Sequence, residues 1–100
     1  MEELSRCTGF QWDEGNAEKN WEKHRVTRFE CEQLFFNKPV LALKDEDYSR
    51  VESRYYALGQ TNRNCELLIV FTVRDAQIRV ISARDMSRRE RRYYDNVKEE

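Results

Sequence analysis

Residues that break or cross-link a chain are scarce in this sequence: its 100 residues include three glycines, one proline and three cysteines. The cysteines, Cys7, Cys31 and Cys65, are odd in number and lack the close spacing of metal-binding pairs. This pattern argues against a disulfide scaffold and a zinc knuckle. No apolar run approaches the roughly 20 residues of a membrane span, and the first residues show no secretory signal pattern.

Charged and aromatic residues, by contrast, are plentiful. Charged residues make up 37% of the chain, and 18 Lys+Arg against 19 Asp+Glu leave a net charge of −1. The aromatic content of 12% argues against a disordered chain. We therefore expect one reduced, cytoplasmic globular domain over residues 10–95, with flexible ends at 1–9 and 96–100.

The near-neutral total hides an arginine-rich segment at 74–92. It contains seven arginines, no lysine and three acidic residues, a sum of +4. Arginine makes bidentate contacts to phosphate, so the segment is typical of a surface that binds a polyanion. The alternative interpretation is a solvated helix face held by salt bridges.

Apolar periodicity and turn residues predict the order of elements. A short strand at 10–12 precedes a helix capped by Asp13, and a capping box at Thr27 and Glu30 starts a second helix. In the first helix we expect Ala17, Trp21 and His24 to form the buried stripe. Further strands are predicted at 40–43, 53–60, 67–71 and 78–84, and Ser87 with Glu90 forms a capping box for a last helix.

This order predicts an α+β domain: an antiparallel sheet with two N-terminal helices and one C-terminal helix. The continuous apolar run at 67–71 is typical of a central strand that is covered on both faces. In the strand at 78–84, alternation places Arg79 on the face of Ile81 and Ala83, opposite Val80.

His24 is the only histidine and lies beside Lys23 at the end of the first helix. Histidine is the side chain whose ordinary pKa suits proton transfer near neutral pH, so His24 and Lys23 are candidates for that role. The alternative is a histidine that interacts favourably with the C-terminal end of the helix dipole.

Arginines in or beside the predicted strands are the candidates for phosphate binding. Several guanidinium groups that meet on one patch could stabilise a pentavalent phosphate, whose charge grows in the transition state. The alternative is an ordinary network with Glu52, Glu66 and Glu90. The arginines in question are Arg54, Arg74, Arg79 and Arg84.

No cofactor or metal site is expected. The acidic run at 45–47 lacks the spacing of an EF-hand loop and is interpreted as a solvated turn. No glycine-rich phosphate-binding motif is present. Cys31 falls on an apolar stripe with no partner base indicated, so we expect it in the core rather than as a nucleophile.

Several short segments, taken in order, carry a family resemblance that spans about residues 10–93. Its most specific part is the strand at 78–84 joined to Ser87-Arg88-Arg89-Glu90-Arg91. The other segments are Trp12-Asp13, Lys19-Asn20, Lys23-His24, Phe29-Glu30, Glu52-Ser53-Arg54-Tyr55, Leu58-Gly59, Val70-Phe71-Thr72-Val73-Arg74 and Met86 with Arg92-Tyr93. In this order the segments resemble one family, the BrnT-type toxins of bacterial type II toxin–antitoxin systems.

The resemblance implies a compact fold like the RelE ribonuclease toxins and a metal-independent endoribonuclease that stops translation. It implies a BrnA-type antitoxin, a ribbon-helix-helix DNA-binding protein, in a heterotetramer that represses its own operon. Tyr93 then becomes a further candidate for proton transfer. The RNA-binding candidates are Arg63, Arg88, Arg89 and Arg92.

Two positions depart from the family pattern. The family commonly has glycine after Lys-His, where this chain has Arg25, and glycine normally supplies the left-handed residue that ends a helix. The family also commonly has histidine where Tyr48 stands, ahead of the Glu-x-Arg pair. Both departures leave the arginines in place.

Two other functions are consistent with the sequence. One is a non-catalytic antitoxin-binding protein that acts as co-repressor of its operon, since the arginine-rich last helix could meet an acidic partner segment. The other is a plain nucleic-acid-binding module in which Arg88 to Arg92 contact phosphates. Toxicity in a host that lacks the partner separates the toxin from the first alternative.

Overall fold

The computed structural model describes residues 2–45 and 52–99. None of the helices in these ranges is long and apolar enough to cross a membrane. In chain order the elements are α1 (Glu2–Ser5), β1 (Gly9–Gln11), α2 (Glu14–His24), α3 (Arg28–Phe36), β2 (Leu41–Lys44), β3 (Arg54–Gln60), β4 (Glu66–Arg74), β5 (Gln77–Asp85) and α4 (Arg88–Lys98).

The described strands form one five-stranded sheet in the order β1-β5-β4-β3-β2. Strands β2 to β5 are antiparallel neighbours, as expected for consecutive strands with short connections. Strand β1 joins the edge of β5 in parallel, because no short hairpin links the two and fixes their direction. The predicted α+β class is confirmed, with α2 and α3 as the two N-terminal helices and α4 as the C-terminal helix against the sheet. The predicted antiparallel pairing holds for β2 to β5, and the parallel β1 makes the sheet mixed.

Local capping signals start the longer helices where the sequence predicts. The Asp13 carboxylate accepts a hydrogen bond from the backbone N–H of Asn16, and Thr27 and Ser87 each begin a capping box. Helix α2 ends at Arg25, which adopts a left-handed conformation with φ of 56°. An arginine thus takes the backbone position that glycine usually fills.

One face of the sheet, which we call the covered face, packs against α2 and α3. Close packing is clearest at Gly59, where an added Cβ would lie 2.6 Å from Leu34 Cγ of α3. The buried residues of this core are Val26, Cys31, Leu34, Tyr55, Ala57, Leu67, Ile69, Phe71, Ile78, Val80 and Ala83. Burial raises the pKa of the Cys31 thiol to about 12, so Cys31 is a core residue, as predicted.

Helix α2 buries a polar residue rather than the predicted apolar stripe. Trp21 is exposed on its surface, whereas Asn20 is buried and accepts a hydrogen bond from the backbone N–H of Ala83 at 3.2 Å. The expectation of a stripe at Ala17, Trp21 and His24 was therefore wrong. Since β1 pairs only with the start of β5, Asn20 satisfies a backbone donor on the remaining open edge of that strand.

A bulge in β5 changes which side chains share a face. Phe71 of β4 pairs with Val80, but Val70 pairs with Ser82, so Ile81 has no opposite residue. The extra residue reverses the alternation. Ala83 is consequently buried on the covered face with Val80, and Arg79 shares the opposite face with Ser82 and Arg84. The predicted grouping of Arg79 with Ile81 and Ala83 was therefore wrong.

The opposite side of the sheet, which we call the open face, is covered at one end by α4, and no other described helix packs on it. There Tyr94 is fully buried against Leu58 and Met86, and its hydroxyl donates to the Pro39 carbonyl at 2.7 Å. In β4, Leu68 and Val70 point to the open face and stay half-buried. The expectation that the 67–71 run is covered on both faces was therefore wrong, because α4 is too short and too far to one side to cover the sheet.

Candidate functional site

Three arginines lie at the end of the open face away from α4. Register places Arg54, Thr72 and Arg79 side by side on β3, β4 and β5. Neighbouring strands lie about 4.8 Å apart, so Arg54 and Arg79 start roughly 10 Å from each other. Arg74 follows Thr72 on the same face of β4. We call Arg54, Arg74 and Arg79 the arginine cluster.

Carboxylates hold two members of the cluster in place. Arg79 Nη2 lies 3.2 Å from Asp13 Oδ2, and the Arg74 guanidinium binds the Glu52 carboxylate. The hydrogen bond from Arg74 lowers the pKa of Glu52. The backbone N–H of Asn16, and after it Arg79, lower the pKa of Asp13. Both acids are thus ionised at neutral pH, and they preorganise guanidinium groups that remain within reach of water.

Sequence reasoning named Glu52 as a partner but missed Asp13, which it interpreted only as a helix cap. Asp13 and Arg79 are 66 residues apart. The only signal that could have paired them is the parallel register of β1 with β5, which sets Gln11 against Arg79 just ahead of Asp13. That register is a long-range property with no local signature.

Arg84 lies apart from the cluster. It pairs with Leu68 in register, four residues along β4 from Thr72, a distance of roughly 13 Å. Both of its Nη atoms donate to Glu90 of α4 at 2.9 Å, a bidentate ion pair. Hydrogen bonds from Arg84 lower the pKa of Glu90 to about 2. Arg84 therefore ties the start of α4 to β5.

An apolar groove lies between the arginine cluster and α4, on the open face. Its volume is about 530 Å³. Two aromatic side chains line it, Tyr56 of β3 and Tyr93 of α4, and Tyr93 is 56% exposed. We call it the open-face groove. Its lining residues are Leu43, Asp45, Tyr56, Leu58, Leu68, Val70, Arg89, Glu90 and Tyr93.

The first turns of α4 bring further arginines to this side of the molecule. Arg88, Arg89 and Arg92 are all exposed, and Arg89 lines the open-face groove. Their position near a helix N-terminus adds the positive end of the helix dipole to their own charge. This end of α4 is therefore strongly positive apart from Glu90, which Arg84 neutralises.

Other predicted site residues lie elsewhere. His24 and Lys23 are exposed at the last turn of α2, whose first turn follows the Asp13 that binds Arg79. Eleven helical rises of 1.5 Å separate His24 from Asp13 by about 16 Å. Arg63 lines a separate cleft beside α3. Tyr48 lies outside the described residues, as do the second and third residues of the 45–47 acidic run.

Comparisons with known proteins identify the family and the fold of this chain. Residues 12–90 match the model of a family described as the ribonuclease toxin, BrnT, of type II toxin–antitoxin systems. The chain also superimposes on the crystal structure of the Brucella abortus ribonuclease toxin BrnT with a TM-score of 0.59. That match has 21% sequence identity and covers 82% of this chain and all of the other. No curated protein matches the chain by sequence.

The fold and the family match together define a class, the ribonuclease toxins of type II toxin–antitoxin systems. Within that class the chain belongs to the BrnT family, as the resemblance implied. A type II system pairs its toxin with a protein antitoxin, so membership implies an antitoxin partner.

Proposed function

We propose that this chain is a cytoplasmic endoribonuclease toxin that cuts RNA at the arginine cluster and thereby inhibits translation. The observation that supports this most strongly is the cross-strand alignment of Arg54 and Arg79 beside Arg74, at the end of the open face away from α4. Preorganised guanidinium groups stabilise the charge that develops on a phosphate during cleavage.

The proposed reaction is attack of an RNA 2′-hydroxyl on the adjacent phosphate. A base takes the hydroxyl proton, the new O2′–P bond forms, and the P–O5′ bond breaks. The 5′-oxygen leaves with a proton from an acid or from water. Because the arginine cluster supplies positive charge at the phosphate, we propose that the reaction proceeds without a metal ion.

Several side chains are candidates to move these protons. Lys23, His24 and Tyr93 are the candidates from the sequence. Arg84 is a sequence candidate for phosphate binding, but it lies apart from the arginine cluster. The structure adds Glu52, whose carboxylate contacts Arg74. Glu52 is the candidate that already lies beside the cluster, whereas His24 would need substrate to reach across about 16 Å.

We propose further that Arg88, Arg89 and Arg92 of α4 bind RNA phosphates, and that Arg63 contacts RNA from its separate cleft. Arg89 lines the open-face groove, and Arg88 and Arg92 lie in the same first turns of α4, which supports a path for the strand along the groove. Such contacts position the strand without reading its sequence.

The proposed partner is a BrnA-type ribbon-helix-helix antitoxin, in a heterotetramer of two toxins and two antitoxins that represses its own operon. Family membership supports an antitoxin of some kind. The exposed arginines of α4 provide a positive surface that suits an acidic antitoxin segment.

Expression of the chain alone in a bacterium tests the function, with growth and total RNA followed together. We expect growth arrest with RNA fragmentation, and in purified protein an Arg79→Ala loss of about 10²–10³ in cleavage rate. Arg28→Ala is a matched control, because Arg28 forms a similar ion pair with Glu14 at 3.4 Å on the helix side. The control keeps wild-type activity.

Two outcomes would contradict the proposal. Full toxicity of a folded Arg79→Ala variant would remove the arginine cluster from the reaction. Unchanged growth and intact RNA, at a verified level of folded wild-type protein, would favour the non-catalytic antitoxin-binding co-repressor.

A further inference from the structure

We infer that the open-face groove binds a nucleobase of the RNA, next to the phosphate held by the arginine cluster, through stacking on Tyr93 and Tyr56. This inference rests on the proposed function and deepens it, since it assigns the substrate's base as well as its phosphate. It gives Tyr93 a positioning role in place of proton transfer.

The groove lies directly beside the arginine cluster. On the open face, Tyr56 and Val70 form the row directly after Arg54 and Thr72. Two residues along a strand correspond to about 7 Å. The groove therefore begins one step from the site proposed for the phosphate, so a base attached to the same or the next nucleotide can enter it.

The lining of the groove has the chemistry that a base requires. Six of its nine residues are apolar or aromatic, and the sheet residues among them form an apolar floor that includes Tyr56, with Tyr93 contributed by α4. Nucleobases have flat π faces that stack on aromatic side chains whatever the base, and an apolar floor removes the opposite face from water. The groove thus offers what a base requires and what a phosphate avoids.

Large side chains of the groove are exposed to solvent. Tyr93 is 56% exposed and Leu43 is 52% exposed, whereas Tyr94, the next residue of α4, is fully buried. Tyr94 anchors the helix through its hydrogen bond to the Pro39 carbonyl. Tyr93 is therefore unnecessary for docking α4, and its ring is left facing the groove.

The charges around the groove favour RNA over a protein segment. The arginine cluster lies at one end of the groove and Arg89 lies on its α4 side. The two acidic lining residues are Glu90, which the bidentate contact with Arg84 neutralises, and Asp45, whose backbone N–H donates to the carbonyl of Arg54 in the cluster at 2.7 Å. An apolar floor between two cationic borders matches a strand in which bases alternate with phosphates.

The test uses a mixed-sequence single-stranded RNA and its 2′-O-methyl copy, whose 2′-oxygen cannot attack. We expect Tyr93→Ala to weaken affinity for the copy and raise KM for the RNA by roughly 5- to 150-fold, the range for losing one stacked base. Cut sites, mapped by sequencing fragment ends, should spread. Tyr93→Phe should keep the affinity, KM and cut sites of wild type, because it keeps the ring.

Phe36→Ala is the matched control, since Phe36 is an exposed aromatic at the end of α3, with 78% exposure, and lines neither the open-face groove nor the cleft of Arg63. It should bind and cleave as wild type does. Circular dichroism of each variant verifies folding, which the exposure of Tyr93 favours.

Three other outcomes would contradict the base site, the stacking contact or the proposed function. Wild-type affinity and cut sites in Tyr93→Ala, with or without a loss of antitoxin binding, would overturn the base site and leave the proposed function standing. Equal impairment of Tyr93→Phe and Tyr93→Ala would overturn stacking and assign the hydroxyl. If folded wild-type protein cleaves no RNA, the proposed function fails, and affinity for the 2′-O-methyl copy alone decides the base site.

Discussion

The two faces of the sheet are built from the same strands yet do opposite things. On the covered face, side chains such as Phe71 and Val80 are fully buried under α2 and α3. On the open face, the alternate residues of those strands carry ion-paired arginines and a half-exposed apolar groove. Period-two alternation thus lets adjacent residues serve separate roles, stability on one side and ligand binding on the other.

The open face also carries charged side chains that a covering helix would have buried. A helix across all of β3 to β5 would have buried Arg54 and Arg79, and buried guanidinium groups cost several kcal/mol unless fully paired. Helix α4 instead stops at the far end, where Arg84 and Glu90 neutralise each other. The part of the open face that α4 does not cover contains the candidate site.

The largest effect expected from breaking this division is on stability. Phe71 packs against Tyr55 and Phe35, with ring centroids 5.5 and 5.2 Å away. Phe71→Ala should lower the free energy of unfolding by about 3–5 kcal/mol. The adjacent Val70, half-buried on the open face, provides the control, and Val70→Ala should cost about 1 kcal/mol.

Urea unfolding of both variants measures these differences. Equal losses would show that the two faces contribute alike to stability. A folded Phe71→Ala fraction that cleaves RNA as wild type does would support the separation of roles.

A smaller effect is expected from the contact that joins α4 to the sheet. Because Arg84 lowers the pKa of Glu90 from 4.5 to about 2, the carboxylate stabilises the fold above pH 4.5. That stabilisation is lost as the pH falls from 4.5 towards 2. Glu90→Gln should lower the free energy of unfolding at pH 7 by about 1.5–3 kcal/mol.

Thermal unfolding from pH 7 to pH 2 checks this sign. The difference in Tm between wild type and Glu90→Gln should be largest near neutral pH and vanish near pH 2. Asp13 and Glu52, whose pKa values are also lowered, act in both proteins and cancel in the comparison. A difference that grows on acidification would contradict the assignment.

The sequence predicted local features better than long-range ones. Both capping boxes were confirmed, because Thr27 and Ser87 each bond a glutamate three residues on. The bulge at Ile81 was missed, since no glycine or proline marks it, and the faces of later β5 residues were assigned wrongly as a result.

The candidate site shows the same limit. The arginines were named from residue type and from their positions in or beside predicted strands, and the register then brought three of the four together. The contact of Asp13 with Arg79 and the open-face groove depend on how distant elements meet, so no local pattern could reveal them.

The most direct test of the division between faces is a map of where RNA binds. Backbone amide shifts of isotope-labelled protein can be followed while the 2′-O-methyl RNA is added. Binding at the open face predicts changes centred on Tyr56, Thr72 and Arg79 and on the first turns of α4. Changes confined to the outer surface of α2 and α3, around Trp21 and Phe29, would contradict the account.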